Sequence, residues 1–535
     1  MKNNNTKIAL ALISVLVTIM LTSPVVYGYL FCPLDSKFLG VAGLRPIEQF
    51  YYFSEGPSQA IRGHLLFTDK YGRLPAADIL INPIGNIIGL ISQVTGTSLS
   101  IAFNIFRIAS SLLLIFSFYF LAKQIITSSF TLLVAIILYC FSAGFDSIFH
   151  LFNFSLIDAV DDSMPEANMF ISMSGEYYLP LANALFILTL SFAYKLIYKK
   201  QKQMLLCGLS LLTLGAVYVY GLVTAVIIIS IAALYTGYSE KQTKRAIIII
   251  SKLLLFCLPI VGYYLWLVFR FPSIDDEGWF SFPNFWALIS TFGFAFLFVT
   301  LGLFLKSRRK ISDETFLLLW VAITLILVYL PQPFLPIQIQ ILIGLGAPLS
   351  IMFTTSLETI SKLAFQKITA LSKNARNVLS GMFIFSIAVL SASTNFSFYT
   401  QQFSDLQKHV LPWYIDSEVY NAMEWSAQNI SEKKLVITSR KLGFIFSSVT
   451  ACPVYTGVAR FREKTLEQKD TEKALKLLKA NRVEEASQLF SETEADYIFL
   501  DKSLSGADFQ KFTTLLKTIY VERFNNPEVS IFQLK

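Results

Sequence analysis

Residues 1–398 of this chain are dominated by apolar runs of a length that only lipid accommodates. A helix needs about 20 consecutive apolar residues to cross the hydrocarbon of a bilayer. Runs at 8–30, 100–121, 126–143, 178–197, 246–269, 284–305, 315–330, 337–355 and 378–395 each read as one span. The stretch 204–238 is too long for a single straight span and is interrupted by Tyr218-Val-Tyr-Gly221, so it reads as two short spans meeting at a turn. The total is about eleven, all helical, because lipid leaves every backbone N–H and C=O to be satisfied within the chain. Only 15% of the residues are charged, against roughly 25% in soluble proteins. That excludes a soluble enzyme, a disordered chain and a collagen-like chain.

Charge fixes the expected orientation. Lys2 and Lys7 precede the first run; Lys123, the Tyr-Lys-Lys-Gln-Lys cluster after the fourth, Lys306-Ser-Arg-Arg-Lys310 and Lys362, Lys367, Lys373 and Arg376 all fall in alternate connections. Short Lys/Arg-rich loops stay on the cytoplasmic side. The N-terminus is therefore expected inside and the last span delivers the remainder of the chain outside. Three longer connections fall on the outer side: 31–83, 146–176 and 271–283. The run at 8–30 is longer than the apolar core of a signal peptide, and no clear small-x-small cleavage site follows it.

Residues 400–535 are of a different kind. They hold equal numbers of basic and acidic residues, so the net charge of +8 belongs to residues 1–398 and nucleic acid is not an expected partner. Helical periods at 416–430, 466–479, 482–490 and 506–516 alternate with strand-like runs at 434–438, 496–500 and 529–534. This predicts a small α/β domain outside the membrane, with domains at 1–398 and 400–535. It contains no GxGxxG, HExxH or GxSxG signature. Cys32, Cys140, Cys207, Cys257 and Cys452 show no CxxC or Cys/His spacing and are expected unpaired.

Three groups of residues could carry chemistry. Glu48, Tyr52, Glu55, Arg62 and His64 follow the first span closely. A carboxylate there could act as general base on an acceptor hydroxyl, with Tyr and Arg orienting a sugar or phosphate; a solvated loop is the plainer reading. Asp161, Asp162 and Glu166 are the tightest part of an outer loop with six acidic residues and no Lys or Arg. Clustered carboxylates are stabilised by a cation or a shared proton, although exclusion of positive charge from outer loops also explains such a loop. Arg107 lies near the outer end of the second span. A charge at that depth either meets a partner such as a lipid phosphate or snorkels to the surface.

A resemblance follows from the order of several motifs. Glu48-x-x-x-Tyr52, Gln59-Ala-Ile-Arg-Gly-His64 and Ile81-Asn-Pro-Ile-Gly-Asn-Ile-Ile-Gly89, leading to Phe106-Arg107, resemble the N-terminal third of GT-C-fold membrane glycosyltransferases. Asp161-Asp-Ser-Met-Pro-Glu166 with Phe170-Ile-Ser172, and Pro331 through Gln338, Gln340, Gly344 and Pro348, resemble later loops of a bacterial branch. Val436–Thr438, Gly443, Pro453-Val-Tyr-Thr-Gly457 and Thr465 resemble its C-terminal domain.

The resemblance implies an all-α polytopic membrane body with an appended α/β domain. It implies transfer of a sugar from a polyprenyl-phosphate donor to a glycan, lipid or protein acceptor at the outer face of a bacterial plasma membrane. Glu48 matches the family's catalytic carboxylate, usually Asp. Tyr52, Glu55 and His64 would line the acceptor cavity, Arg107 and Arg62 would bind the donor phosphate, and Asp161, Asp162 and Glu166 would hold a divalent cation (magnesium or manganese) or close the cavity. Gln338 and Gln340 stand where the branch often has paired basic residues, and Arg270 is a further candidate for phosphate recognition. A non-catalytic member of the fold, acting as a lipid-linked glycan flippase or an envelope-assembly scaffold, fits the same sequence.

Overall fold

The computed structural model describes residues 2–43, 46–71, 79–80, 83–151, 164–175, 178–270, 285–305, 314–330, 339–366, 372–455, 483–502 and 509–534. Seven described helices are long and apolar enough to cross a membrane, among them Leu99–Ile125, Leu179–Ile197, Val219–Ser239, Thr243–Arg270, Phe285–Leu305 and Lys373–Ser391, together with the N-terminal helix Lys2–Leu30. Three more apolar helices, Ser129–Phe141, Met204–Val217 and Thr315–Val328, have 13 or 14 residues. At 1.5 Å per residue these cover about 20 Å, short of the ~30 Å hydrocarbon core. The chain is an integral membrane protein.

The break at Tyr218 occurs as expected, with Tyr218 extended between two helices, but only the first of them is short; Val219–Ser239 has 21 residues and is long enough to cross. The run at 337–355 does not form one helix. A 3-10 turn at Ile339–Leu342 comes first, Gly344 then adopts φ +74°, and the helix Gly346–Gln366 starts beyond it. A side chain at Gly344 would also meet the Phe186 ring at 2.3 Å. Pro348 falls in the first turn of that helix, where its missing N–H costs nothing.

The chain divides into two compact units, described separately. The first comprises residues 1–24, 105–265 and 278–404. It is helical, and its interior is built from large side chains such as Trp320, Phe186 and Phe316, each fully buried. Phe118 and Tyr139 stack at 3.9 Å between the Leu99–Ile125 and Ser129–Phe141 helices.

The second unit joins residues 25–104 and 266–277 to 405–535. Its strands among the described residues are β1 (Ser36–Phe38), β2 (Tyr414–Asp416), β3 (Val436–Ile437), β4 (Tyr497–Asp501), β5 (Val521–Asn525) and β6 (Val529–Gln533). One sheet has the order β3-β4-β6-β5, with β3 and β4 parallel and the other pairs antiparallel; β1 pairs antiparallel with β2. Ile437, Ile498, Leu500 and Phe532 from the strands meet Phe490, Phe512 and Leu516 from the helices Val483–Glu492 and Phe509–Lys517 in a buried core. The helix expected at 466–479 lies outside the described residues. The helix Arg440–Thr450 was not expected. It is rich in Phe, Ser, Thr and Gly, which favour helix weakly, but its N-cap Ser439 accepts from the Leu442 amide at 3.3 Å.

The connection after the first span belongs to this second unit. Tyr71 pairs in parallel with Val454, and Val454 in turn with Val436 of β3. The Val454 amide donates to the Lys70 carbonyl at 2.7 Å.

Candidate active site

Glu48 stands in the first turn of the helix Pro46–Glu55, where the free amides of a helix start favour a negative charge. Pro46 opens that helix, a position at which its lack of an N–H is harmless. Glu48 and Tyr52 lie four residues apart, on one helical face, and both are half-buried. Gln49, Phe50, Phe53 and Ser54 of the same helix are buried. Phe53 meets Phe103 edge-on at 5.3 Å. Glu55 is the last residue of the helix.

The next turn is built from hydrogen bonds of one side chain. Gln59 Nε2 donates to the carbonyls of Ser54 and Thr68 at 2.8 and 2.9 Å, and Gln59 Oε1 accepts from the Thr68 amide at 3.1 Å. Gly63, at φ +87°, lets the chain reverse after the helix Pro57–Ile61. Arg62 and His64 flank it and are exposed. His64 Nε2 lies 2.6 Å from Glu432 Oε1.

The glycines of the Ile81–Gly89 motif have a direct physical reason. On the helix Pro83–Thr95, a Cβ at Gly89 would stand 2.5 Å from the Pro57 carbonyl oxygen, and one at Gly85 would stand 3.0 Å from the Pro57 ring. The two glycines let this helix lie directly against the Pro57–Ile61 helix.

Sequence reasoning missed three features here. Gln49 is 1% exposed, and neither end of its amide has a hydrogen-bond partner among the described residues; such a buried group costs about 1–3 kcal/mol. Tyr71 stacks on Tyr51 at 5.1 Å, touches Phe444 at 5.3 Å and shares a 2.7 Å hydrogen bond with Ser54. Cys452 lies close to Arg62, Lys70 and Glu432; burial pushes its thiol pKa up, and the two cations offset part of that rise. Nothing local announces the partners of Tyr71 nearly four hundred residues away.

Arg107 and Glu166 belong to the first unit. Arg107 is 1% exposed; Nη1 donates to the Ser174 carbonyl at 2.7 Å and Nη2 to the Leu21 carbonyl at 2.9 Å. The first acceptor needs a donor for a local reason. Ser174 ends the helix Met169–Ser174, whose last carbonyls lack intrahelical partners. Leu21 lies inside the Lys2–Leu30 helix; Pro24, three residues on, withholds an N–H from the Met20 carbonyl, to which Ser23 Oγ donates at 3.3 Å. Arg107 neither snorkels nor reaches the surface.

Glu166 is buried at 6% exposure, in a segment held by Asn168. Asn168 Nδ2 donates to Asn395 Oδ1 at 2.8 Å, and Asn395 Nδ2 to the Phe141 carbonyl at 2.9 Å. Nearby Ser172 receives Asn183 Nδ2 at 3.2 Å, while Asn183 Oδ1 accepts from the Gly344 amide at 2.8 Å. Two separate sequence motifs thus meet through Asn183. Asp161 and Asp162 lie outside the described residues, as do Gln338 and the acidic part of 271–283. Among the described residues no three His, Cys, Asp or Glu side chains come together in a way that holds a metal. Of the three candidate cation ligands, Glu166 alone is among the described residues.

No protein-family model and no curated protein matches this chain. Solved structures do. The oligosaccharyltransferase AglB from Archaeoglobus fulgidus, in complex with an inhibitory peptide and a dolichol-phosphate, matches with a TM-score of 0.53 at 11% identity, over 97% of this chain and 73% of its own. ArnT from Cupriavidus metallidurans, bound to undecaprenyl phosphate, matches with a TM-score of 0.53 at 10% identity, over 97% and 98%. The arabinofuranosyltransferase AftD from Mycobacteria matches with a TM-score of 0.56 at 12% identity, over all of this chain and 40% of AftD. The chain has the GT-C fold, shared with these membrane glycosyltransferases.

Proposed function

We propose that this protein transfers a sugar from a polyprenyl-phosphate donor to an acceptor hydroxyl or amide at the outer face of a bacterial plasma membrane. The observation that carries this reading is the likeness over at least 97% of the chain to two proteins solved with dolichol-phosphate and undecaprenyl phosphate. Glu48 is the general base. It takes the acceptor proton as the acceptor atom bonds to the anomeric carbon; the bond from that carbon to the phosphate oxygen breaks, and its electron pair leaves on the lipid phosphate. One such displacement inverts the anomeric centre. Tyr52 and His64 contact the acceptor side. Arg62, exposed at the turn after the Pro57–Ile61 helix, is the donor-phosphate contact.

A second reading is a non-catalytic member of the fold that handles lipid-linked glycans as a flippase or scaffold. Two observations favour it: Glu stands in place of the usual Asp, and two nitrogens of Arg107 are held by backbone carbonyls.

The donor class is tested by thermal unfolding of the purified protein in detergent. Polyprenyl phosphate at 100 times its dissociation constant should stabilise the fold by about 2.7 kcal/mol. Polyprenol of the same length should give no shift. Equal shifts from both lipids, or none from either, would remove the phosphate-linked donor.

A further inference from the structure

The two parts of the second unit lie far apart in sequence but share their main contacts. Phe444, on the Arg440–Thr450 helix, packs edge-on against Tyr51 at 5.9 Å and tilted against Tyr71 at 5.3 Å. Tyr71 stacks on Tyr51 and hydrogen-bonds Ser54. Tyr51 and Ser54 belong to the helix that carries Glu48. The backbone adds to the rings: Tyr71 pairs with Val454, which pairs with Val436 of the sheet. At the turn, His64 reaches Glu432 at 2.6 Å, and Lys70 Nζ approaches the Glu432 carbonyl at 3.5 Å. Further along, β1 pairs with β2, and the Leu39 amide donates to the Trp413 carbonyl at 2.9 Å.

A ten-residue helix such as Pro46–Glu55 is marginal by itself. Its position depends on what it packs against, and one of its main partners is Phe444. We propose that residues 405–535 act as a positioning clamp for the first connection, with Phe444 and Glu432 as positioning residues for Glu48. The inference rests on the reading of Glu48 as general base. It goes beyond that reading by giving the C-terminal part a role in the reaction. Phe444 wedges the Tyr51–Tyr71 pair, and Glu432 fixes the turn at His64; neither touches substrate.

The test combines hydrogen exchange and kinetics on the full chain in lipid nanodiscs. Phe444→Ala should speed amide exchange across residues 46–71, with exchange in the helices of the first unit unchanged. It should lower kcat on the order of 10²-fold with KM for the lipid donor near that of the wild type. Phe444→Tyr, which keeps the ring, should restore both. Glu432→Gln, a milder change that keeps a hydrogen bond to His64, should speed exchange at 59–64 alone; Glu432→Ala should extend this to the Pro46–Glu55 helix.

Wild-type exchange at 46–71 in both Phe444→Ala and Glu432→Ala would overturn the clamp. So would faster exchange with kcat unchanged, provided Glu48→Gln is inactive in the same assay. Should Phe444→Ala unfold the chain everywhere, the Glu432 pair decides alone. If Glu48→Gln keeps full activity, the base assignment fails, while the exchange result still reports on the clamp.

Discussion

Arg107 holds its charge where water does not reach and donates to two main-chain carbonyls, Ser174 at a helix end and Leu21 within the first helix. A guanidinium suits that task because its donors are spread in a planar fork and it stays charged when buried. Arg107→Met should therefore destabilise the protein by about 1–3 kcal/mol for each carbonyl left without its donor, read as a lower midpoint of thermal unfolding. Arg107→Lys, with one ammonium for two separated acceptors, should recover part of the loss. An unchanged midpoint with a raised KM for the lipid donor would instead assign Arg107 to phosphate binding. Its sequence position marked it as unusual, because charge inside an apolar run is costly. The sequence could not say which partner it meets: Ser174 and Leu21 are 67 and 86 residues away.

Elements were legible wherever period and punctuation agreed. Alternating apolar runs and Lys/Arg-rich loops locate the helices, and Tyr218 marks the break between two of them. The helix after Gly344 starts later than hydropathy predicts because backbone conformation, not apolarity, decides where it begins; Gly344-Leu-Gly-Ala-Pro348 was the available signal. The Arg440–Thr450 helix was missed because packing against the first connection outweighs its weak local preference. The Gly85/Gly89 pair shows the same point from the other side. Alanine in place of glycine inside a helix normally adds up to about 1 kcal/mol. Gly89→Ala should instead lose about 1–3 kcal/mol, since its new methyl would face a main-chain oxygen that cannot swing away. Gly381→Ala is the control, because nothing lies within 4 Å of a Cβ there. Equal effects at the two positions, measured by thermal unfolding, would mean that the two short helices are not in close contact.

At the scale of the molecule, a GT-C fold was legible from the order of weak motifs, none of which is specific alone. The chemistry was less legible. Spacing made Glu48 and Tyr52 candidates beside the plainer reading of a solvated loop, whereas Gln49, Tyr71, Phe444 and Glu432 stand out only once the chain has brought distant segments together. The central claim is that Glu48 is the base of a glycosyl transfer. The measurement that tests it most directly is the initial rate of sugar transfer from a polyprenyl-phosphate pool in membranes, with expression levels matched. Glu48→Gln keeps the size of the side chain and removes the base, so the rate should fall roughly 10²–10⁴-fold with donor binding intact, and Glu48→Asp should retain part of the activity. A Glu48→Gln protein that transfers sugar at the wild-type rate would contradict the account.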